Sequence, residues 1–117
     1  MATNSQVPFN PLGETVAITA NVAPPLGVQA LAEQRFRTYA PGEYRVVNAG
    51  TATVHLGTGS TAAQAQANAV AAVSGNPAPG IPLLPGAVEI IRIAPEVYFS
   101  GAASGATTVY ITPGQGL

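Results

Sequence analysis

His55 is the only histidine in the sequence, and histidine is the side chain whose charge ordinarily changes between about pH 5 and 8. A Ser-His-acid constellation would have to be built on it, because nucleophile and base must come within hydrogen-bond reach. Its setting is Thr53-Val54-His55-Leu56, in which strand alternation puts Val54 and Leu56 on one face and His55 on the other. That pattern predicts an exposed or interface histidine on a strand. A zinc centre takes three or four Cys, His or carboxylate ligands, and a chain with one His, no Cys and no Asp is expected to hold no metal. The five acids, Glu14, Glu33, Glu43, Glu89 and Glu96, contain no spacing that marks two of them as a glycosidase pair.

Gly57-Thr58-Gly59-Ser60-Thr61-Ala62 has the outline of a dinucleotide fingerprint after a strand. Such a site needs an acid about 20 residues further on to hold the ribose, and none lies between Glu43 and Glu89. The glycines are expected to end a strand and open a loop. No catalytic residue, cofactor or metal site is expected, and the chain is read as a binding and packing protein rather than an enzyme.

The elements that would carry any site are short. The 117 residues suffice for one domain, stable without disulfides or metals. Of them 47% are hydrophobic and 8% charged, against about 25% charged in a typical soluble domain. There is no Lys, the cations being Arg35, Arg37, Arg45 and Arg92, and the formal net charge is −1. Soluble monomers use interspersed charge to avoid association, so this surface is expected to associate. With no basic cluster, neither direct nucleic-acid binding nor attachment to an anionic membrane is expected, and no run approaches the length of a membrane span. The opening residues lack the pattern of a signal peptide, and the absence of Cys is compatible with a reducing cytoplasm.

Thirteen Gly and 11 Pro, with Pro-Gly pairs at 41–42, 79–80, 85–86 and 113–114, supply turns between β-like runs. The runs are 15–20, 28–31, 44–48, 53–57, 88–93, 97–102 and 107–112, with a turn at Asn48-Ala49-Gly50. Six or more short strands, 28–31 being the weakest, without an alternating amphipathic helix predict an all-β, single-domain β-sandwich, jelly-roll-like. Val16, Ile18, Val46, Val54, Leu56, Val88, Ile90, Val109 and Ile111 are the expected core. The run Val88-Glu89-Ile90-Ile91-Arg92-Ile93 is apolar on both faces, which a strand covered by the core on one side and a partner on the other would explain.

Two segments fit less simply. Residues 29–36 suit either a short helix or a strand. Residues 60–74 are rich in Ala and Gln, but the alanines circle the whole helical cylinder and define no stripe. A long surface loop with at most one helical turn is expected there. Residues 1–13 are expected to be an N-terminal arm and 14–117 the sandwich.

Arginine and tyrosine are enriched at interfaces. Phe9, Tyr39, Tyr44, Arg45, Arg92, Tyr98 and Tyr110 are therefore the expected contacts with a partner.

Tyr44-Arg45-Val46-Val47-Asn48-Ala49-Gly50-Thr51-Ala52-Thr53-Val54, Ile81-Pro82-Leu83-Leu84-Pro85-Gly86-Ala87-Val88-Glu89 and the terminal run from Thr108 to Leu117 together resemble small accessory head proteins of tailed bacteriophages. The resemblance spans residues 44–117. It implies a decoration (cement) protein, commonly a trimer, seated on the major capsid protein at the outside of the virion and made in the host cytoplasm. The Ala/Gln-rich segment departs from that pattern. A module of a head fibre or tail appendage is the alternative, and a carbohydrate-binding module is disfavoured by the absence of Trp.

Overall fold

β-branched and aromatic residues recur at alternate positions between the turns, and each such run becomes a strand. The structure, a computed structural model, describes residues 9–37 and 42–115. Its elements are β1 (Asn10–Pro11), β2 (Val16–Ala20), β3 (Val28–Gln29), a short 3₁₀ helix (Gln34–Phe36), β4 (Glu43–Asn48), β5 (Val54–Gly59), α1 (Ala62–Asn68), β6 (Ile81–Leu83), β7 (Val88–Arg92), β8 (Tyr98–Ala102) and β9 (Thr107–Gln115).

The strands form two antiparallel sheets. Sheet A runs β1-β9-β4-β7 with β2 also on β9, and sheet B runs β3-β8-β5-β6. β5 pairs with β6, β4 with β7, β3 with β8 and β2 with β9. The chain from β2 to β9 is thus one long hairpin bent at the β5–β6 connection, its successive rungs falling alternately in the two sheets. Rolled up in this way, it is a jelly roll.

The core lies between the inner faces, where Ile18, Val46, Val54, Leu56, Phe99, Val109 and Ile111 are buried. Val16 packs at its margin. Val88 and Ile90, expected in the core, are instead half exposed, at 51% and 50%. Val88 sits opposite Val47 and Ile90 opposite Arg45, while Glu89 sits opposite the buried Val46. The apolar residue of β7 that packs on the core is Ile91. A one-residue difference in register exchanges the two faces of a strand, and β7 carries apolar residues on both.

The turn at Asn48 does not close a hairpin: β4 belongs to sheet A and β5 to sheet B. Buried Asn48 donates through Nδ2 to the carbonyls of Ala52 and Leu83, both at 2.9 Å, and its Oδ1 accepts from the Gly50 amide at 3.0 Å. Its own amide donates to the Ala87 carbonyl, and its carbonyl accepts from the Gly86 amide, each at 3.0 Å.

Two further expectations change. Residues 29–36 are mixed, beginning in β3 and ending in the 3₁₀ helix. The segment 60–74 holds a two-turn helix, α1, capped by the Thr61 hydroxyl, which accepts from the Gln64 amide at 3.1 Å. Its seat is made by missing side chains. A Cβ on Gly57 would lie 2.7 Å from the Ala69 Cα, one on Gly59 2.8 Å from the Ala65 amide nitrogen, and one on Gly27 2.8 Å from the Ala65 Cβ. Ala65 and Ala69, four residues apart, are buried against that floor. Gln66 Nε2 donates to the Pro24 carbonyl at 2.8 Å and Asn68 Nδ2 to the Thr58 carbonyl at 2.7 Å, tying the helix to the outer face of sheet B.

The sandwich also begins earlier than residue 14. Asn10 and Pro11 pair with Gln115 and Gly114, and Leu12 is buried, because β9 extends past the end of β2 and leaves an edge for β1. The rest of the expected arm, residues 1–8, lies outside the described residues.

Asn48→Ala leaves the Leu83 carbonyl without its partner and frees the arch at Ala52 and Gly50; a loss of about 2 to 3 kcal/mol in urea unfolding is the expected outcome. Gly57→Ala forces α1 off sheet B, with an expected loss of about 2 kcal/mol, read as a lower thermal midpoint with the β signal in circular dichroism retained.

Candidate functional site

Pleating gives sheet A an outer face with its own side-chain rows. Ala17 sits opposite Tyr110, Tyr110 opposite Val47, and Val47 opposite Val88. The neighbouring row runs from Thr112 through Arg45 to Ile90, with the Thr15 hydroxyl hydrogen-bonded to that of Thr112 at 2.6 Å. Val88, Ile90 and Tyr110, 42% exposed, thus gather on one surface around the exposed Arg45. Arg45 has no hydrogen-bond or ion-pair partner among the described residues.

At the edge of the same face, Arg92 is paired with Glu43. Arg92 Nε donates to Glu43 Oε2 at 3.0 Å, and its Nη2 contacts the same oxygen. The Glu43 side chain is buried while that of Arg92 is largely exposed, so a carboxylate enclosed by the fold is neutralised by a cation reaching in from the surface. Removing one member of such a pair leaves an uncompensated charge.

The residues expected at an interface therefore separate. Arg45, Arg92 and Tyr110 share the outer face of sheet A. Tyr98 is half-buried on the outer face of sheet B, its Cβ close to Gly27. Phe9 is half-buried with its ring over Gly114, which lacks the Cβ that would collide with it. Tyr39 lies outside the described residues.

Tyr44 does not present an interface. It is 2% exposed, because it shares the inward parity of Val46 on β4. Its ring meets Phe99 edge-on at 4.8 Å and 74°. Its hydroxyl donates to the Ala94 carbonyl at 2.6 Å and accepts from the Val97 amide at 3.2 Å. A buried phenol needs a polar partner at its tip, and the turn through Pro95 and Glu96 provides it. Glu96 there adopts φ 60°, a left-handed conformation uncommon for a residue with a Cβ.

Sequence reasoning missed Val88 and Ile90 as members of the exposed face. Both alternate with Arg92, but Glu89 and Ile91 give the other face a similar mixture of charged and apolar residues, so the strand's own pattern does not choose between its faces.

His55 stands on the outer face of sheet B opposite Pro82 and Ala102. It lines an open recess with Thr51, Thr53, Ser104, Val22 and Ala71. No carboxylate is among the residues lining that recess. Gly57 and Gly59 lie within β5 and precede α1, as a fingerprint would require, yet β5 pairs antiparallel with both neighbours. The parallel βαβ unit of a dinucleotide site is not formed, and the glycines serve helix packing. Among the described residues no cluster of three or more His, Cys, Asp or Glu side chains is placed to hold a metal ion, and no helix is long and apolar enough to cross a membrane.

No protein-family model, curated protein or solved structure matches the chain.

Burial raises the Tyr44 phenol above its ordinary value, outweighing the opposing hydrogen bonds with the Val97 and Glu96 backbone. The unfolded chain releases this proton at about pH 10, before the folded chain does. The folded state therefore binds the proton more tightly, and its contribution, complete below about pH 10, is lost as pH rises through the folded value. Tyr44→Phe is expected to cost about 1 to 2 kcal/mol at neutral pH and to flatten the alkaline fall in stability, measured by denaturant unfolding from pH 7 to 11.

Proposed function

We propose that the chain is a structural virion protein that decorates and cements a bacteriophage capsid, binding the outer surface of the major capsid protein lattice through the outer face of sheet A. The observation that carries this reading is the alignment of Val88, Ile90 and Tyr110 around Arg45 on that face. Its complement is an apolar surface carrying a carboxylate for Arg45.

The resemblance of residues 44–117 to small phage head proteins supplies the address. Jelly rolls also occur in lectins and cupins, so the architecture alone does not select the role. The scarcity of charge supports it, since the same composition that leaves few catalytic groups leaves a surface suited to neighbours. Two packed sheets joined by a buried polar corner form a rigid unit. Many such units on a shell oppose subunit separation even when each contact is modest, because simultaneous engagement makes later contacts intramolecular.

Mass spectrometry and cryo-electron microscopy of virions of the phage encoding the chain test this reading. The chain is expected in intact particles, with density outside the shell and the outer face of sheet A against the capsid protein. Tyr110→Ala is expected to lower its occupancy. Absence of the chain from intact particles, or its presence only on a fibre or tail, overturns the reading.

A further inference from the structure

The free edge of β7 carries a self-complementary pattern. Asn48 donates its amide to the Ala87 carbonyl at 3.0 Å, and Ile93 donates to the Gly42 carbonyl at 2.9 Å. In the register of β4 with β7 these are directly opposed residues two steps apart from Val46–Glu89 and Tyr44–Ile91. Because hydrogen-bonded and non-hydrogen-bonded pairs alternate along an antiparallel ladder, Ala87, Glu89, Ile91 and Ile93 turn their backbone groups toward β4. Val88, Ile90 and Arg92 turn theirs away from the sheet.

Edge strands are a template for pairing, and proteins blunt them with brevity, proline, charged side chains, bulges or cover. Both edges of sheet B show such devices. β3 has only two residues and β6 contains Pro82. The chain after β2 crosses to sheet B, where Asn21 donates to the Gly101 carbonyl at 3.4 Å and accepts from the Ala103 amide at 3.0 Å. β7 has five residues, no proline and no further strand beyond it among the described residues, and its two charges, Glu89 and Arg92, still allow a self-pairing in which neither meets a like charge.

We propose that β7 pairs antiparallel with β7 of a second copy of this chain, about a two-fold axis through Ile90. This goes beyond the capsid reading and does not rest on it. In that register Ile90 opposes Ile90 of the second copy and Val88 opposes Arg92 of the second copy, so every outward amide and carbonyl of Val88, Ile90 and Arg92 gains a partner. Glu89 opposes Ile91 of the second copy, and no like charges face each other. Sliding the register one way puts Glu89 against Glu89 of the second copy, and sliding it the other way leaves the Val88 groups unpaired. The side chains agree with the backbone: Ile90 meets its equivalent on the outer face, and the aliphatic stem of Arg92 covers Val88 of the second copy. A two-fold axis perpendicular to the sheet places both apolar outer faces on the same side, doubling one continuous surface. The assembly is a dimer rather than the trimer that the resemblance implies.

The absence of cysteine makes single-cysteine cross-linking clean. In a hydrogen-bonded antiparallel pair the Cα atoms are about 5.5 Å apart, inside the roughly 4.4 to 6.8 Å that a disulfide spans. Full-length Ile90→Cys is expected to oxidise to a covalent dimer, while Tyr110→Cys, two strands inward, stays uncross-linked. Light scattering coupled to size exclusion is expected to give the unmodified chain twice the mass of one copy. Ile90→Lys, which sets like charges on the axis at a position exposed in the single copy, is expected to give one copy with an unchanged circular dichroism spectrum. An unmodified chain that stays monomeric at every concentration, a trimer that survives Ile90→Lys, or equal cross-linking of the two cysteine variants overturns the proposal.

Discussion

The fold depends on how the chain passes from one sheet to the other, and it does so around one buried amide. Asn48 ends β4 in sheet A, yet its side chain binds the carbonyl of Leu83 in sheet B and both sides of the arch leading to β5. Its backbone meanwhile holds Gly86 and Ala87, where the chain returns to sheet A. Both crossings near the middle of the rolled hairpin therefore converge on one residue. A hydrophobic side chain there would leave several backbone groups unpaired, and an unsatisfied buried polar group costs more than a made hydrogen bond contributes.

With the sheets joined in this way, small residues decide what else can approach. α1 has little to bury except alanine methyl groups, and an alanine helix carries weak hydrophobic drive. It docks because Gly57, Gly59 and Gly27 let its backbone come unusually close, where dispersion contacts are dense and where the Pro24 and Thr58 carbonyls meet Gln66 and Asn68. Sheet B is thereby covered on its outer side. Sheet A has no equivalent layer among the described residues, and its outer face keeps Val88, Ile90 and Tyr110 at the surface.

This asymmetry is the structural basis of the functional reading. In the proposed role, the face that no helix covers is the one turned to the capsid. The sparse charges divide accordingly: Glu43 and Arg92 neutralise each other at the edge of the open face, Arg35 pairs with Glu33 at 3.6 Å and lies 4.5 Å from the Phe36 ring centroid, and Arg45 stands within the apolar rows with no partner among the described residues.

The sequence by itself determined the all-β class, most of the strand positions and the inward parity of β2, β4, β5 and β9, because those strands alternate clearly between apolar and polar residues. It also showed that chemistry-bearing side chains are few, since composition needs no coordinates. Tertiary structure alone decided the facing of β7, whose two sides are similarly apolar and whose orientation is set by pairing with β4. For Tyr44 it decided what allows the core position that parity with Val46 already indicates: the phenol's polar tip is satisfied by a turn some fifty residues away in sequence. The helix in 60–74 was hidden in the sequence. No stripe marks it, and what stabilises it is the absence of side chains on strands elsewhere in the chain, which becomes a binding surface only when β5 and the loop before β3 are brought beneath it.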